Sequence, residues 1–204
     1  MNEIIKNNLI ETYNKYAEER NKKNTYDFKL QEINNFTKIL KLEKKHTILE
    51  IGCGTGQESA IIENTGFNLL AIDISPAMIE FTRKKGIQAK VLDCYHLNSL
   101  QQKFDSVFSL NCLLHIPKND IKTIFKNIHS ILNTNGLFYL GLWGGDDFSG
   151  IYKNDSYEPK RFFVFYRQMT LFNLLTDFFE IEYYKRIIPR QDSIFHSLIL
   201  RKKN

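Results

Sequence analysis

The 204-residue chain has the length typical of one domain, and its composition excludes several classes of protein. Hydrophobic residues make up 43% of the chain and aromatic residues 13%, which is ample for one core and argues against intrinsic disorder. The net charge of +5 comes from scattered lysines, so solvated helix faces explain it best. Binding to RNA or another polyanion stays open, because charge alone supplies only sequence-independent affinity.

Targeting segments and metal-binding patterns are also absent from the sequence. Polar and charged side chains interrupt the first ten residues, so they lack the apolar core of a signal peptide, and no apolar run is long enough to span a bilayer. Cys53, Cys94 and Cys112 have no metal-ligand spacing and fit reduced thiols better than a disulfide framework. The sequence therefore predicts a cytoplasmic protein with no metal and no membrane segment.

Two amphipathic helices are predicted at the start of the chain, over residues 3–20 and 26–42, with a polar turn at 21–24 between them. Tyr13 and Tyr16 fall on the apolar face of the first helix. That position allows two interpretations, packing against the domain or covering a bound ligand. Because both helices precede the first strand, they are expected to pack outside the minimal alternation of strands and helices.

The first predicted strand, residues 46–51, ends at three alternating glycines, Gly52, Gly54 and Gly56. Glycine has no Cβ, tolerates positive φ and lets main-chain N–H groups approach a bound molecule closely. The helix predicted from Gln57 directs its positive end to the same place. A plain turn needs fewer glycines, so this segment predicts a ligand-binding loop.

The second predicted strand, residues 68–74, carries Asp73 near its carboxyl end and leads into a helix over residues 76–85. Ser75 is a suitable N-cap for that helix, and Pro76 suits its first turn. An acid at this position can hold both hydroxyls of a ribose, or it can merely cap the turn before Ser75. Glycine loop, helix and acid in this order indicate a nucleoside site in a doubly wound α/β sheet.

The remaining elements continue the alternation and then depart from it. Strands are predicted at residues 88–93, 104–111 and 137–143, with a helix at 119–132 before the last of them. Repeated strand–helix units imply right-handed crossovers and a parallel sheet. Two further strands at 179–188 and 194–200 are joined by so short a segment that they must form an antiparallel pair.

The glycine spacing decides between nucleoside cofactors. A dinucleotide loop has the form G-x-G-x-x-G, but here position 57 is glutamine, which disfavours a nicotinamide oxidoreductase. With Glu50 two residues ahead, the motif resembles the E/D-x-G-x-G-x-G loop of the class I S-adenosylmethionine-dependent methyltransferases. The resemblance covers residues 45–201.

This resemblance implies a Rossmann-like, seven-stranded, mostly parallel sheet of order 3-2-1-4-5-7-6 with the last strand antiparallel and N-terminal helices. It implies one domain over residues 1–204, with a helical lid at 1–44, a core at 45–204 and a cap segment at 144–170. The implied cofactor is S-adenosyl-L-methionine and the product S-adenosyl-L-homocysteine.

Several residues are expected to bind the cofactor, Asp73 at the ribose and Asp93 near the adenine amino group. For Met78 core packing is an equal alternative. The expected set is Tyr16, Glu50, Gly52, Cys53, Gly54, Gly56, Gln57, Asp73, Ile74, Met78, Asp93, Cys94, Tyr95, Asn111 and Leu114.

The segment after the fourth strand lacks the marks of specialised relatives. It has no Asn/Asp-Pro-Pro-aromatic pattern of base-amino methyltransferases, no cysteine after proline and no paired glutamates of arginine methyltransferases. This favours a small-molecule acceptor, with His115 as a possible general base. The candidate substrate contacts are Tyr13, His115, Trp143, Arg161 and Tyr166.

Two alternatives to a small-molecule methyltransferase remain. The cluster of arginine and aromatic residues around Arg161 is similar to that of methyltransferases acting on modified wobble uridines of transfer RNA. A domain that only binds S-adenosylmethionine, or a partner protein, without catalysis is the other alternative. A monomer or a homodimer is expected.

Overall fold

The computed structural model describes residues 1–191 and 193–204, which form seven α-helices, nine strands and two 3-10 helices. The α-helices are α1 (Glu3–Lys15), α2 (Ala17–Asn21), α3 (Asp27–Leu42), α4 (Gln57–Glu63), α5 (Pro76–Lys84), α6 (Ile121–Ile131) and α7 (Gln168–Leu175). The strands are β1 (Thr47–Ile51), β2 (Asn68–Asp73), β3 (Ala89–Val91), β4 (Phe104–Leu110), β5 (Leu132–Gly144), β6 (Phe148–Ile151), β7 (Phe162–Phe165), β8 (Phe179–Arg190) and β9 (Ser193–Lys202). The 3-10 helices span Cys94–Leu100 and Leu113–His115.

Seven strands form one sheet in the order β3-β2-β1-β4-β5-β9-β8. The strands from β3 to β5 are parallel, whereas β9 is antiparallel to both of its neighbours. The order of strands and the antiparallel hairpin predicted from the sequence are confirmed. Since the five parallel strands end at one edge, the loops that follow them meet there, and the order reverses between β1 and β4.

The sheet is buried on both faces, as its continuous apolar strands require. Leu49 of β1 belongs to the cluster that packs under α6, whose Ile124 and Ile128 are fully buried. Its neighbour Ile48 points to the opposite face and packs in the cluster that contains Phe36 of α3. Alternate residues of each strand thus hold a helix layer on each face.

The structure differs from the sequence-based prediction in two segments, the first helix and the residues before the fifth strand. The predicted helix at residues 3–20 is interrupted at Tyr16, which leaves helical geometry with φ −102° and ψ 13° and separates α1 from α2. Residues 133–136, which lie between the predicted helix and the predicted fifth strand, are part of β5, where the pairing with β4 shifts register and Asn135 adopts φ +57°. This irregularity lets the backbone follow the strand despite its turn-forming residues.

Residues 144–170 contain a second, two-stranded sheet that the sequence analysis treated only as a cap segment. Phe148 of β6 pairs with Phe165 of β7 in an antiparallel hairpin. Aromatic side chains on these strands pack against each other, with the Phe148 and Phe165 ring centroids 5.7 Å apart. The cap is therefore an ordered hairpin.

The N-terminal helices have two different roles in the fold. The α3 side chains Ile33, Phe36 and Leu40 are fully buried against the sheet, so this helix is part of the core. The α1 and α2 helices instead contact the cap segment and the loops at the carboxyl edge of the sheet. Within the predicted lid at residues 1–44, α3 is thus part of the core, and a lid formed by the residues that precede α3 stays a prediction.

Candidate functional site

A cavity of about 660 Å³ lies at the carboxyl edge of the sheet. Each of the five parallel strands supplies part of its wall: Gly52 after β1, Asp73 at the end of β2, Asp93 after β3, Asn111 after β4 and Trp143 on β5. The volume is in the range of about 300–1,000 Å³ found for small-molecule sites. Its position at the switch in strand order is where open α/β sheets bind ligands.

The glycine loop takes a conformation that only glycine adopts easily. Gly52, Gly54 and Gly56 have φ values of +77°, +54° and +78°. A Cβ at Gly52 would collide with the side chain of Cys112, whereas the place of a Cβ at Gly54 is open space within the cavity wall. The loop therefore leaves room for a ligand at its centre and is tightly packed at its first glycine.

Asp73 connects the glycine loop to the start of α5. One carboxylate oxygen accepts a hydrogen bond from the Gly54 N–H and the other from the Ser75 N–H, both at 2.9 Å. Burial raises the pKa of Asp73. The side chain caps the turn before Ser75 and also lines the cavity, so the turn contact is observed and the ribose contact stays a prediction.

Glu50 lies beneath the loop rather than in the cavity wall. Its carboxyl group is buried, accepts a hydrogen bond from the Ser59 hydroxyl and has a pKa raised to about 8 by that burial. A carboxyl with this pKa is mostly protonated at neutral pH. Its contribution is to hold α4 against the end of β1.

The α1 helix joins the acidic side of the cavity. Lys6 forms a 2.9 Å ion pair with Asp93, and this contact raises the pKa of the lysine. Further along the helix, the Asn14 side-chain oxygen accepts hydrogen bonds from the Ser75 hydroxyl at 2.7 Å and from the Ala77 N–H at 3.2 Å. The first helix is thus attached to the loops after β2 and β3.

The opposite side of the cavity holds a chain of four polar side chains. The Asp155 carboxylate accepts from the Arg161 guanidinium at 2.6 and 2.9 Å, and Arg161 donates to the Tyr13 hydroxyl oxygen at 3.0 Å. The Tyr13 oxygen lies 2.6 Å from His115 Nε2, and Nδ1 lies 2.7 Å from the Phe162 carbonyl oxygen. Because a carbonyl only accepts, Nδ1 carries the proton and Nε2 accepts from Tyr13.

Burial keeps His115 and Tyr13, at one end of this chain of side chains, uncharged. It lowers the pKa of His115 to about 3 and raises the pKa of the Tyr13 phenol. His115 therefore accepts a hydrogen bond at neutral pH, but its basicity is low and its accepting nitrogen is occupied. The arrangement favours positioning, and proton removal by His115 stays a prediction.

Asn111 has a feature that neither packing nor secondary structure explains. It adopts φ +56°, rare for a residue with a side chain, and its buried side-chain oxygen has no hydrogen-bond partner among the described residues. Such buried, unpartnered polar atoms are uncommon in proteins. An oxygen of this kind in a cavity wall fits a ligand that supplies a hydrogen-bond donor.

Most of the predicted site residues come together in this one cavity. The predicted residues in its wall are Tyr13, Gly52, Cys53, Gly54, Gln57, Asp73, Ile74, Asp93, Cys94, Asn111, Leu114, His115, Trp143 and Arg161. These residues come from the first helix, the carboxyl ends of all five parallel strands with the loops that follow them, and the cap, which supports a common ligand site.

Five predicted cofactor residues lie outside the wall for identifiable reasons. Glu50 is beneath the loop, Gly56 faces Thr82 and Met78 is fully buried in the core. The other two bind neighbours: the Tyr95 hydroxyl donates to Asp120 at 2.6 Å, and the Tyr16 ring stacks on Tyr157 with centroids 4.2 Å apart. A direct ligand contact is not supported for these five in this conformation.

Tyr166, predicted to contact the substrate, is also away from the cavity. It is 2% exposed, and its carbonyl oxygen lies 3.0 Å from His196 Nε2 on β9. The side chain is held in the core beneath the cap. The aromatic pattern of the segment indicated a cap without showing which rings point inward.

Several residues of the wall were missed by the sequence analysis. Lys29 of α3 and Arg20 of α2 line the cavity, as do Tyr26, Tyr157 and Phe163. For Lys29 a signal existed, since it has the i, i+4, i+7 spacing of a buried helix stripe with Ile33 and Phe36. The others depend on tertiary packing alone.

Comparison with known proteins agrees with this geometry. Residues 48–136 match the family model described as a methyltransferase domain. This part of the chain is therefore similar in sequence to methyltransferase domains. The resemblance inferred from Glu50 and the glycine loop is thereby confirmed, and the whole sheet has the class I methyltransferase fold.

Solved structures and curated relatives extend the likeness. Magnesium protoporphyrin IX methyltransferase from Synechocystis PCC 6803, solved with bound SAM, superposes with a TM-score of 0.72 at 15% identity, covering 97% of both chains. The 1,6-didemethyltoxoflavin-N1-methyltransferase of Burkholderia thailandensis gives 0.68 at 19% identity, over 85% of this chain and 79% of that one. Malonyl-[acyl-carrier protein] O-methyltransferase of Hamiltonella defensa is 33% identical over 46% of this chain and 36% of its own length.

The curated match is partial, since the chain spans less than half the length of the curated relatives it matches. Within residues 1–191 and 193–204 no group of His, Cys, Asp and Glu has the arrangement of a metal site. None of the helices in that part of the chain has the length and apolar character needed to cross a bilayer.

Proposed function

We propose that this protein is a methyltransferase that moves a methyl group from S-adenosyl-L-methionine to an oxygen, nitrogen or other nucleophile of a small molecule, releasing S-adenosyl-L-homocysteine. The observation that carries the proposal is the wall formed by the open glycine at position 54, the Asp73 carboxylate and the unpartnered oxygen of Asn111. These groups fit S-adenosyl-L-methionine, and the match of residues 48–136 to the methyltransferase domain model supports the same cofactor.

Each of these residues has a task that its position supports. Asp73 binds the ribose hydroxyls while its bond to the Gly54 N–H keeps the loop in place. Asp93, held by Lys6, lies where the adenine is expected. Asn111 accepts a hydrogen bond from the amino-acid part of the cofactor. The bound cofactor supplies a methyl group on a positively charged sulfur.

The acceptor is expected on the side of the cavity formed by Tyr13, His115, Arg161 and Trp143. Methyl transfer needs the nucleophile aligned with the methyl carbon and water excluded, and little further chemistry from the protein. The lid and the cap close over this side and are joined by the Arg161–Tyr13 hydrogen bond. His115 orients Tyr13, and proton removal matters only for an acceptor that arrives protonated.

The proposal also covers the domain organisation, the cellular location, the oligomeric state and the acceptor class. The lid, consisting of α1, α2 and the segment up to Tyr26, and the cap at residues 144–170 belong to one domain with the core. We propose a cytoplasmic protein, a monomer or a homodimer, that acts on a metabolite rather than on transfer RNA. Curated relatives named for ubiquinone biosynthesis support this choice of substrate class.

Calorimetry tests the cofactor assignment. We expect binding of S-adenosyl-L-methionine and S-adenosyl-L-homocysteine and no heat with NAD. Asp73→Asn should weaken S-adenosyl-L-homocysteine binding by about tenfold or more, since hydrogen bonds to a charged group contribute about 1.5–3 kcal/mol. The exposed Asp177→Asn serves as the matched control. Absence of heat with both sulfur compounds would refute the proposal.

Turnover distinguishes an enzyme from a binding protein. Metabolite extract and total RNA are incubated separately with methyl-labelled S-adenosyl-L-methionine, and the labelled product is identified. Label in the small-molecule fraction supports the proposal. Label in RNA alone would establish the transfer RNA alternative, and cofactor binding without transfer to either fraction would favour the non-catalytic one.

A further inference from the structure

Lys29, in the first turn of α3, lies in the cavity wall without an acidic partner. The residue is 8% exposed, and within the described residues its ammonium group forms neither an ion pair nor a side-chain hydrogen bond. Its Nζ lies 5.3 Å from the centroid of the Tyr26 ring and 6.0 Å from that of Trp143. Aromatic faces stabilise a cation only in part, so an acidic counterpart is missing.

The charges around Lys29 do not supply that counterpart. Glu58 attracts the ammonium group from beyond ion-pair distance, and its carboxylate accepts a hydrogen bond from Thr25 at 3.1 Å. Arg20 is close enough to repel it, and burial lowers the pKa of Lys29. A buried ammonium group is unfavourable unless it is paired. A ligand that brings a negative charge would complete this part of the cavity.

The position of Lys29 separates it from the residues proposed to hold the nucleoside. Those residues follow β1, β2 and β3, whereas the ring beside Lys29 belongs to Trp143 on β5. Since β4 lies between β1 and β5, the two strands are about 10 Å apart. Lys29 therefore faces the half of the cavity left for the acceptor.

We propose that Lys29 binds a carboxylate of the methyl acceptor, with the Trp143 ring beside the bound group. The inference rests on the proposed function, because it takes the other half of the cavity to be the cofactor site. It narrows the acceptor to small organic acids. Among the described cations of this wall, Arg161 is already paired with Asp155 and Arg20 is only half-buried, whereas Lys29 is buried without an acidic partner.

Binding of simple acids to protein saturated with S-adenosyl-L-homocysteine tests the assignment. The probes are benzoate and indole carboxylate, each compared with its carboxamide. We expect wild-type protein to bind the carboxylates about tenfold more tightly than the amides, the usual size of a charge-assisted hydrogen bond. Lys29→Met should abolish this preference, Lys29→Arg should keep part of it, and Lys38→Met, an exposed change on the same helix, should keep all of it.

A second experiment uses the natural acceptor without knowing its identity. An ultrafiltered metabolite extract is divided on an anion-exchange resin before incubation with labelled cofactor. We expect the acceptor in the retained, anionic fraction, and Lys29→Met should lose labelling of that fraction while its affinity for S-adenosyl-L-homocysteine is unchanged.

Three results would overturn the inference. One is wild-type protein that shows no preference for the carboxylates, including no detectable binding of any probe. Another is an acceptor found only in the unretained fraction, which would leave the methyltransferase function standing. The third is a Lys29→Met variant that loses affinity for S-adenosyl-L-homocysteine but not for methylthioadenosine, which lacks the amino-acid part, because Lys29 would then bind the cofactor carboxylate. Wild-type protein that binds no S-adenosyl-L-homocysteine refutes the proposed function itself.

Discussion

The buried side chain of His115 makes the folding stability of the protein depend on pH. Its pKa is about 3 in the folded protein and 6.5 in the unfolded chain. Between these values the unfolded chain binds a proton that the folded protein does not, so folding stability falls as the pH drops through this window. One such proton contributes a slope of up to about 1.4 kcal/mol per pH unit.

We therefore expect His115→Gln to flatten the acid side of the stability profile. Chemical unfolding at a series of pH values between 6.5 and 3 measures the slope. The exposed His46→Gln is the control and should follow the wild-type profile. Equal slopes for wild type and His115→Gln would show that the histidine is protonated in the folded state.

Local sequence signals identified the residues whose roles are set by their neighbours in the chain. The glycine loop and Asp73 belong to one strand–loop–helix segment and the next strand, so their geometry follows from spacing. Tyr166 was misplaced because its environment is set by His196, a residue of the distant β9 strand. The spacing of Lys29 with Ile33 and Phe36 marks a buried helix stripe, but its place beside Trp143 depends on how α3 packs.

At the scale of elements, two glycines of the loop are expected to affect different properties. Gly52 affects the stability of the fold, and Gly54 affects ligand binding. Gly52→Ala forces a Cβ against Cys112 and should lower the free energy of unfolding by roughly 1–3 kcal/mol from overpacking, besides the backbone strain of positive φ. Gly54→Ala meets open space and should cost only the strain, about 1–2 kcal/mol, while its methyl group enters the ligand volume.

The expected readouts of the two loop variants differ. Gly52→Ala should lose mainly thermal stability, and Gly54→Ala should lose affinity for S-adenosyl-L-homocysteine by about tenfold or more. Gly66→Ala is the control, since Gly66 has φ +93° with open space and lies away from the cavity. Full affinity in Gly54→Ala would contradict the placement of the ligand at the loop.

Arg161 joins the lid to the cap, beside contacts such as the hydrogen bond from the Thr12 hydroxyl to the Pro159 carbonyl oxygen. Its guanidinium group bonds to Asp155, whose side chain is 2% exposed, and to Tyr13 of α1. Arg161→Gln leaves the carboxylate unpaired and should lower stability by roughly 3–5 kcal/mol. The amide protons of α1 should then exchange faster with solvent, measured by hydrogen–deuterium exchange.

A double variant keeps this prediction testable if the single one unfolds. Adding Asp155→Asn removes the unpaired charge, and exchange in α1 should remain faster than in wild type. The exposed Arg167→Gln, which loses a surface pair with Asp146, should leave α1 unaffected. Unchanged exchange in α1 of the double variant would show that the lid is held by other contacts, such as Lys6 and Asn14.

Some elements of the fold could be predicted from sequence patterns and others could not. Strand order followed from the repeated strand–helix units and the short final connection, because both constrain topology. The β6–β7 pair was missed because each strand has only four residues, β6 with a glycine and β7 entirely apolar, without the alternation that marks a half-buried strand. The predicted first helix is interrupted at Tyr16, whose ring stacks on Tyr157 of the cap. No pattern in the local sequence predicts that contact.

At the scale of the whole molecule, the cavity of about 660 Å³ and the modest net charge of +5 bear on the substrate class. Acceptor affinity should change little with salt, with a slope of log affinity against log salt of no more than about one, since one charge is paired. An RNA acceptor that contacts several phosphates would give a slope several times larger. Measuring KM for the acceptor over a range of salt concentrations decides between them.

The protonated carboxyl of Glu50 has a practical consequence for handling the empty protein. As the pH rises from 4.5 towards about 8, the unfolded chain releases a proton that the folded protein retains, so alkaline buffers work against folding. Glu50→Gln, which keeps the shape of the group without the titrating proton, should tolerate such buffers better, as melting temperatures over this interval will show. Between pH 4.5 and 6.5 this effect is opposed by His115, whose loss of stability on acidification offsets the gain from Glu50, so storage in that interval avoids the decline on the alkaline side.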